Sequence, residues 1–564
     1  FRENLLLHYP QKTSKSGEQR ICEVIAHEIA HQWFGNLVSP SDWKYLWLNE
    51  SFATYFGFGI VDHYFPDWDT WAQFLHGQTG TAMTRDALHE TFAIEIPGGE
   101  HVVINSSTAP IIYNKGGSIL RQIQGYIGDE DFQSGLQHYL NAHAYGCAAS
   151  QHLWESFEIA SNQPIGDMMK SWIEQPGFPV IEVARQGRQL KFNQRRFTYL
   201  PNDATQSWVI PINISMFREN NNVAHTRVLM DTPELIIEID ENTSAYKINH
   251  RQTGFYRVQY NDKENLDQLG KRVYDQTLPP EDRWGMQNDL FALLKCGAIT
   301  LEEYIGFLSH YKNEVAYLPL TSIAVNLYSA FGVMKENQRK AIAQLAIPWY
   351  EEILERIGYD PNDNEKQTIA MLRDQLIWDA SLYGSGKAAE FGRTKFEALM
   401  QGQGVHADIL RSVMQVAALH GGEDAFEWLE RQFQQSQVEH ERMNILVALG
   451  CFKNTELLKK SQQCVLDTVP DRNKFIPVVA MAANPYAVPL LWDWYVSHLE
   501  QIEQFHPMLY ERVVGAIIPT AGLLRTGEVQ AFFQDYMQKT DKATDVIKLS
   551  LEKLEINLRM REAN

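Results

Sequence analysis

Long apolar runs, cysteine and positive charge are what this sequence has little of. No stretch of 18 or more apolar residues occurs, so no segment is built to cross a bilayer as a helix. No secretory leader opens the chain at Phe1. The 564 residues include five cysteines: Cys22, Cys147, Cys296, Cys451 and Cys464. The set is odd and sparse, with no C-x-x-C pair, which argues against a disulfide framework. It reads as mostly reduced thiols in a cytoplasmic protein. Cys451 and Cys464 are left open as a pair, with small apolar filler as the alternative. Lys and Arg number 50 against 70 Asp and Glu, a net charge of −20. No basic stripe stands ready to neutralise phosphates, which argues against nucleic acid as a partner. The acidity serves solubility; attraction for basic peptides is the lesser alternative.

What is present fits a packed globular chain, 44% hydrophobic and 12% aromatic. Its length is too great for one core, so three or four domains are expected.

Residues 21–50 organise the rest: ICEVIAHEIAHQWFGNLVSPSDWKYLWLNE. Nothing from 18 to 34 breaks a helix, and Ile21, Val24, Ile25 and Ile29 offer an apolar face. At about 100° per residue, His31 lies roughly 40° round from His27. Imidazoles at i and i+4 have Cβ atoms about 5–6 Å apart, close enough to share one ion. Two imidazoles and a carboxylate suit Zn²⁺, one per chain. Glu50 is the candidate third ligand. It opens a second helical stretch, 50–64, after a loop holding Gly35, Asn36, Pro40 and Ser41. Three protein ligands leave the fourth position for water, which marks a catalytic rather than a structural site. Glu28, roughly 100° round from His27, is placed to be a base without being a ligand.

The bare H-E-x-x-H pattern also occurs on ordinary helices. The run HEIAHQWFGN at 27–36 with LWLNE at 46–50 is far more specific. It resembles the gluzincin zinc aminopeptidases, the family of aminopeptidase N, the puromycin-sensitive enzyme and the endoplasmic-reticulum trimming enzymes. The resemblance implies His27, His31 and Glu50 as zinc ligands and Glu28 as general base. A second segment, STAPIIYNKGG at 107–117, is similar to the family's tyrosine segment. By that likeness Tyr113 is the tyrosine whose hydroxyl steadies the oxyanion; a tyrosine before a Lys-Gly-Gly turn is otherwise a packing residue. The sequence departs from the family at Ser51, where glycine is common, and at Tyr45, where an acid is common.

The same resemblance implies removal of the N-terminal residue from peptide substrates. In the family a carboxylate of a Gly-Ala-Met-Glu-Asn segment holds the substrate's α-ammonium, helped by the metal-binding glutamate; here Glu50 would give that help. The opening FRENLLL reads like the interior of a folded domain, and the Gly-Ala-Met-Glu-Asn segment is expected upstream. The isolated chain is therefore expected to be impaired as an exopeptidase. A thermolysin-type endopeptidase is the alternative within the enzyme class. A catalytically silent peptide-binding protein with an inherited zinc site is the alternative outside it. Glu28, standing together with three ligands and Tyr113, favours the enzyme.

The expected fold is multidomain α+β. Residues 1–178 form a thermolysin-like, mostly helical catalytic domain. Its helices are expected at 68–83, 117–127, 130–142, 150–160 and 165–173, with a Gly98-Gly99 turn and an extended piece at 102–104. The WIEQPGFP segment at 172–179 marks a boundary. Residues 179–260 switch to period two, with strands at 180–184, 189–192, 208–214, 235–239 and 254–260, suggesting a small β-sandwich that acts as a spacer. Ile210, Ile212 and Ile214 share one face. Residues 261–564 read as helical hairpins of uneven length, a large C-terminal α-solenoid. A monomer with no membrane span is expected.

Overall fold

The structure, a computed structural model, describes residues 2–96, 103–218, 222–362 and 364–564. The described residues are mostly helical, with three small sheets. No helix among the described residues is long and apolar enough to cross a membrane. The described residues fall into two compact units, Glu23–Ser322 and Phe1–Cys22 with Ile323–Asn564.

In the first unit, helix α1 (Lys15–Ala30, entering from residue 23) packs on helix α2 (Trp47–Tyr64). The buried face of α1 here carries Ala26 and Ala30, whereas Ile25 and Ile29 are exposed. This corrects the expected apolar face, of which Ile21 alone is buried and Val24 half-buried. The reason is the closeness of the two helices. A Cβ added at Gly57 of α2 would lie 3.5 Å from the Cα of His27. Only small side chains fit between backbones at that distance.

Helices α3 (Gly116–Ile127), α4 (Asp129–His143), α5 (Ser150–Ser161) and α6 (Ile165–Ile173) follow close to their expected positions. Asp129, Glu130 and Asp131 sit in the first turn of α4, where the helix dipole favours negative charge. The expected helix at 68–83 is interrupted by a π-helical turn at Phe74–Thr79, and a second π-helical turn spans Pro110–Lys115. No residue type announces either turn. The Gly98-Gly99 turn and Val102 lie outside the described residues; Val103 and Ile104 belong to no strand.

Strands β1 (Val38–Pro40) and β2 (Gly146–Ala148) pair in parallel. A four-stranded sheet has the order β7 (Glu234–Glu238), β4 (Gln189–Arg196), β3 (Pro179–Gln186), β9 (Arg257–Tyr260). A three-stranded sheet has β5 (Ile210–Arg218) between β6 (Val223–Met230) and β8 (Thr243–Ile248). Ile210, Ile212 and Ile214 are all buried. Strands β6 and β8 were not expected. β6 is an edge strand whose apolar and polar residues do not alternate, and β8 buries Lys247 within 3.5 Å of Asp282. Neither shows the apolar alternation that marks a strand. Residues 254–256 precede β9 rather than extend it.

The second unit is a row of helices. Glu336–Ile357, Gln367–Tyr383, Ala407–His420, Glu439–Leu449, Phe475–Ala482, Pro507–Ala521 and Thr544–Glu562 pack each on the next. Buried Arg373 ties two of them, paired with Glu365 and donating to the carbonyls of Ile357 and Gly358. The five cysteines form no bridge; burial pushes the Cys451 thiol up to about 12.

One buried ion pair in the first unit joins three segments. Lys115, closing the second π turn, lies 2.9 Å from Asp86 and donates to the Gly177 carbonyl at 3.0 Å. Asp86 accepts from Thr91 and from the Gly177 amide. Both charged side chains are fully buried. Lys115→Met is expected to cost about 3–5 kcal/mol in urea unfolding, because it strands a buried carboxylate. The double variant Lys115→Met/Asp86→Leu should recover much of that loss. Equal instability of the two variants would show that the pair is not the source.

Candidate active site

His27 lies in the last turn of α1 and His31 in the turn that follows it, earlier than the expected helix end at 34, with ring centroids 4.9 Å apart. After α1 the chain turns through Gly35, whose φ of +133° favours glycine. It then runs through β1 and a short 3₁₀ turn, Trp43–Tyr45, into α2. Phe34 stacks on Phe52 of α2 at 4.2 Å, clamping the end of one helix to the other. Trp47, fully buried, opens α2 and donates to Glu95 at 2.7 Å. Glu50 therefore enters in the first turn of α2, directly facing the imidazoles.

Its Oε2 lies 3.4 Å from Nε2 of His27 and 3.5 Å from Nε2 of His31. One donor atom from each of the three residues falls within 4.8 Å of the others. Among the described residues this is the one group of three or more His, Cys, Asp or Glu so arranged. Two imidazoles and one carboxylate make the ligand chemistry of a catalytic zinc centre. The His31 Nδ1 lies 3.1 Å from the Phe34 carbonyl, which fixes the ring and turns Nε2 toward the cluster. That partner was not foreseen, since a backbone carbonyl leaves no mark in a sequence.

Burial alone pushes the Glu50 carboxyl up. Hydrogen bonds from His27 and His31 outweigh it and hold the group at about 2. The Glu50 carboxylate in turn raises the His31 imidazole, with burial working against it. Glu28 is solvent-exposed and outside the three-residue cluster. Tyr113 lies parallel to His27, with ring centroids 6.0 Å apart. Burial, then the Glu50 carboxylate, push its phenol well above the ordinary range. The structure thus brings His27, His31, Glu50 and Tyr113 to one place, and the Glu28 charge next to them acts on both the His31 imidazole and the Tyr113 phenol. Tyr45 sits in the 3₁₀ turn before α2, with the Lys44 ammonium 4.8 Å from its ring.

The Tyr113 turn meets α2 at very short range. A Cβ added at Gly116 would lie 1.9 Å from Oγ of Ser51 and 2.8 Å from its Cβ. Gly116→Ala is therefore expected to destabilise the protein by about 1–3 kcal/mol, the usual cost of overpacking. Denaturant unfolding measures it, and unchanged stability would mean the two elements separate freely.

Residues 1–172 match the model of the peptidase family M1 domain, and residues 245–556 match that of the ERAP1-like C-terminal domain. Curated relatives include probable aminopeptidase 2 of Sulfurisphaera tokodaii, 28% identical over 536 residues, covering 94% of this chain and 65% of the relative. Aminopeptidase M1 of Arabidopsis thaliana is 29% identical over 583 residues, covering 99% and 66%. Leucyl aminopeptidase of Saccharolobus solfataricus is 27% identical over 545 residues, covering 95% and 66%. The chain thus spans just under two-thirds of the length of these relatives. One matched region covers more than half of the chain and the other contains the two histidines, Glu50 and Tyr113, so the chain belongs to the M1 family of aminopeptidases.

Proposed function

We propose that this protein is a zinc-dependent metalloaminopeptidase that hydrolyses the N-terminal peptide bond of peptides. The observation that carries this is the convergence of three donor atoms within 4.8 Å beside an exposed Glu28 that is not one of them. M1 aminopeptidases are zinc enzymes, and the donor set here fits that metal. His27, His31 and Glu50 would hold one Zn²⁺. When bound, the metal supplies Lewis acidity toward water and the scissile carbonyl.

The chain's own residues do the remaining work. Glu28 takes a proton from the attacking water and later passes it to the departing amine, acting as base and then acid. Tyr113 donates a hydrogen bond to the oxygen on which negative charge develops. Such a donor is worth most in a site that excludes water, and Tyr113 is half-buried. Glu50 also faces the position where a substrate's α-ammonium would be held, which would set the register of the cut.

In this reading, residues 1–178 form a thermolysin-like catalytic domain, 179–260 a small β-sandwich and 261–564 an α-solenoid. Support comes from the helices around the site, the two antiparallel-rich sheets and the row of stacked helices. The compact units follow packing and have other bounds. Peptides are the partners; a monomer in the cytoplasm completes the proposal.

Glu28→Ala should lower turnover of a leucyl or alanyl amide by about 10²–10⁴, the usual contribution of a positioned acid–base group, while metal analysis still finds one zinc per chain. Loss of zinc in that variant would make Glu28 a ligand and overturn the assignment. Zinc-loaded full-length protein with no Glu28-dependent turnover would overturn the activity itself. His27→Ala and Glu50→Gln should each weaken zinc binding by more than about 100-fold, beyond what loss of an outer-shell partner costs. Equilibrium dialysis against a competing chelator measures this; full zinc retention in either variant would remove that residue from the ligand set.

A further inference from the structure

Glu50 and Ser51 are neighbours on α2, and Ile112 and Tyr113 are neighbours in the π-helical turn Pro110–Lys115. Ser51 is fully buried, and its Oγ donates to the Ile112 carbonyl at 2.6 Å. This bond ties the backbone of the π turn to α2, beside the link that the Tyr113 phenol itself makes with the Glu50 carboxylate. Gly116, at the end of the turn, leaves the room that the Ser51 hydroxyl fills, since a Cβ there would overlap Oγ at 1.9 Å.

The turn's other side is held elsewhere. Asn114 donates to Gln78 at 2.7 Å, Ser118 donates to the Asn114 carbonyl at 2.8 Å, and Lys115 is locked to Asp86 and Gly177. Those links fix the turn to its surroundings but not to the helix that carries Glu50. A π turn is rare and occurs mostly as a single insertion, often at functional sites. It needs support for its displaced carbonyls. Ser51 gives that support one residue from Tyr113 on one side and one residue from Glu50 on the other.

We propose that Ser51 is a positioning residue that sets where the Tyr113 hydroxyl stands relative to the His27, His31 and Glu50 cluster. The proposal rests on the role given to Tyr113 above. Ser51 does not touch substrate; it acts through the backbone of Ile112. Loss of its hydroxyl frees the turn to move away from α2, and a misplacement of about 1 Å is enough to cost on the order of 100-fold in rate.

The test is a cycle of Ser51→Ala, Tyr113→Phe and the double variant in zinc-loaded full-length protein, read by hydrolysis of a leucyl amide. Ser51→Ala should lower kcat by about tenfold or more while KM changes less than about twofold and zinc content is unchanged. In the Tyr113→Phe background Ser51→Ala should have no further effect, because the group it positions is gone. Amide hydrogen exchange of the metal-free protein is the second readout. Residues 110–117 should exchange about tenfold faster in Ser51→Ala, with α4 and α5 unchanged. Effects on kcat that multiply in the double variant, or exchange that rises everywhere alike, would reduce Ser51 to a packing residue and overturn the proposal. Full kcat in Tyr113→Phe would overturn the role of Tyr113 and this proposal with it, whereas low kcat in Tyr113→Phe without coupling overturns this proposal alone. If Ser51→Ala does not fold, Ser51→Cys keeps the shape with a weaker donor and runs the same cycle, with a smaller drop in kcat expected.

Discussion

The close crossing of α1 and α2 is the constraint on which the site depends. His27 sits in the last turn of the first helix, His31 just after it and the carboxylate on the second helix, so the proposed ligand set does not exist until the two backbones meet. Ala26, Ala30 and Gly57 let them meet, and the stack of Phe34 on Phe52 locks the end of one against the other. Side-chain volume at this contact therefore acts directly on donor-atom distances. Closely packed interiors transmit changes of a single methylene, so the crossing is a sensitive part of the chemistry although none of these residues has a reactive group.

A second layer of polar contacts holds Tyr113 against this crossing. Its turn is fastened by a buried lysine to Asp86 and Gly177, by Asn114 to Gln78 and by Ser51 to α2. Buried polar groups are costly unless satisfied. Full partnering in this region therefore makes one geometry of the turn far better than its neighbours. The same logic extends to the junction after α6, where Gly177 both accepts from Lys115 and donates to Asp86. The boundary marked by two prolines around a glycine is thus also part of the site's support.

Much of the site was legible because its chemistry is local in sequence. Two histidines four apart on an unbroken helix must share a face, and a following loop with Gly35 and Pro40 suggested that Glu50 returns toward them. The helices around the site carried apolar periodicity, and α4 and α6 acidic first turns as well, so their bounds came within a few residues. Strands β3, β4 and β5 alternated clearly. What escaped was whatever is decided by a partner distant in sequence. β6 and β8 lack a clear alternation and are kept in place by pairing with β5, and Lys247 is tolerated inside β8 because Asp282 lies beside it. Ile25 and Ile29 promised a buried face, yet they are exposed and the buried face is the neighbouring one, carrying Ala26 and Ala30.

The sequence by itself determined that two imidazoles and an acid share one arc, since helix periodicity places residues 27, 28 and 31 without reference to the rest of the chain. It also determined the alternation of a helical region, a strand-rich region and a long helical region. Tertiary structure alone decided the distance of Glu50 from the rings, the stacking of Tyr113 on His27 and the anchoring of the π turn by Ser51. Those quantities depend on contacts between segments tens of residues apart. Hydrogen bonds to backbone carbonyls and the room left by a missing Cβ set them, and neither is written in the order of side chains.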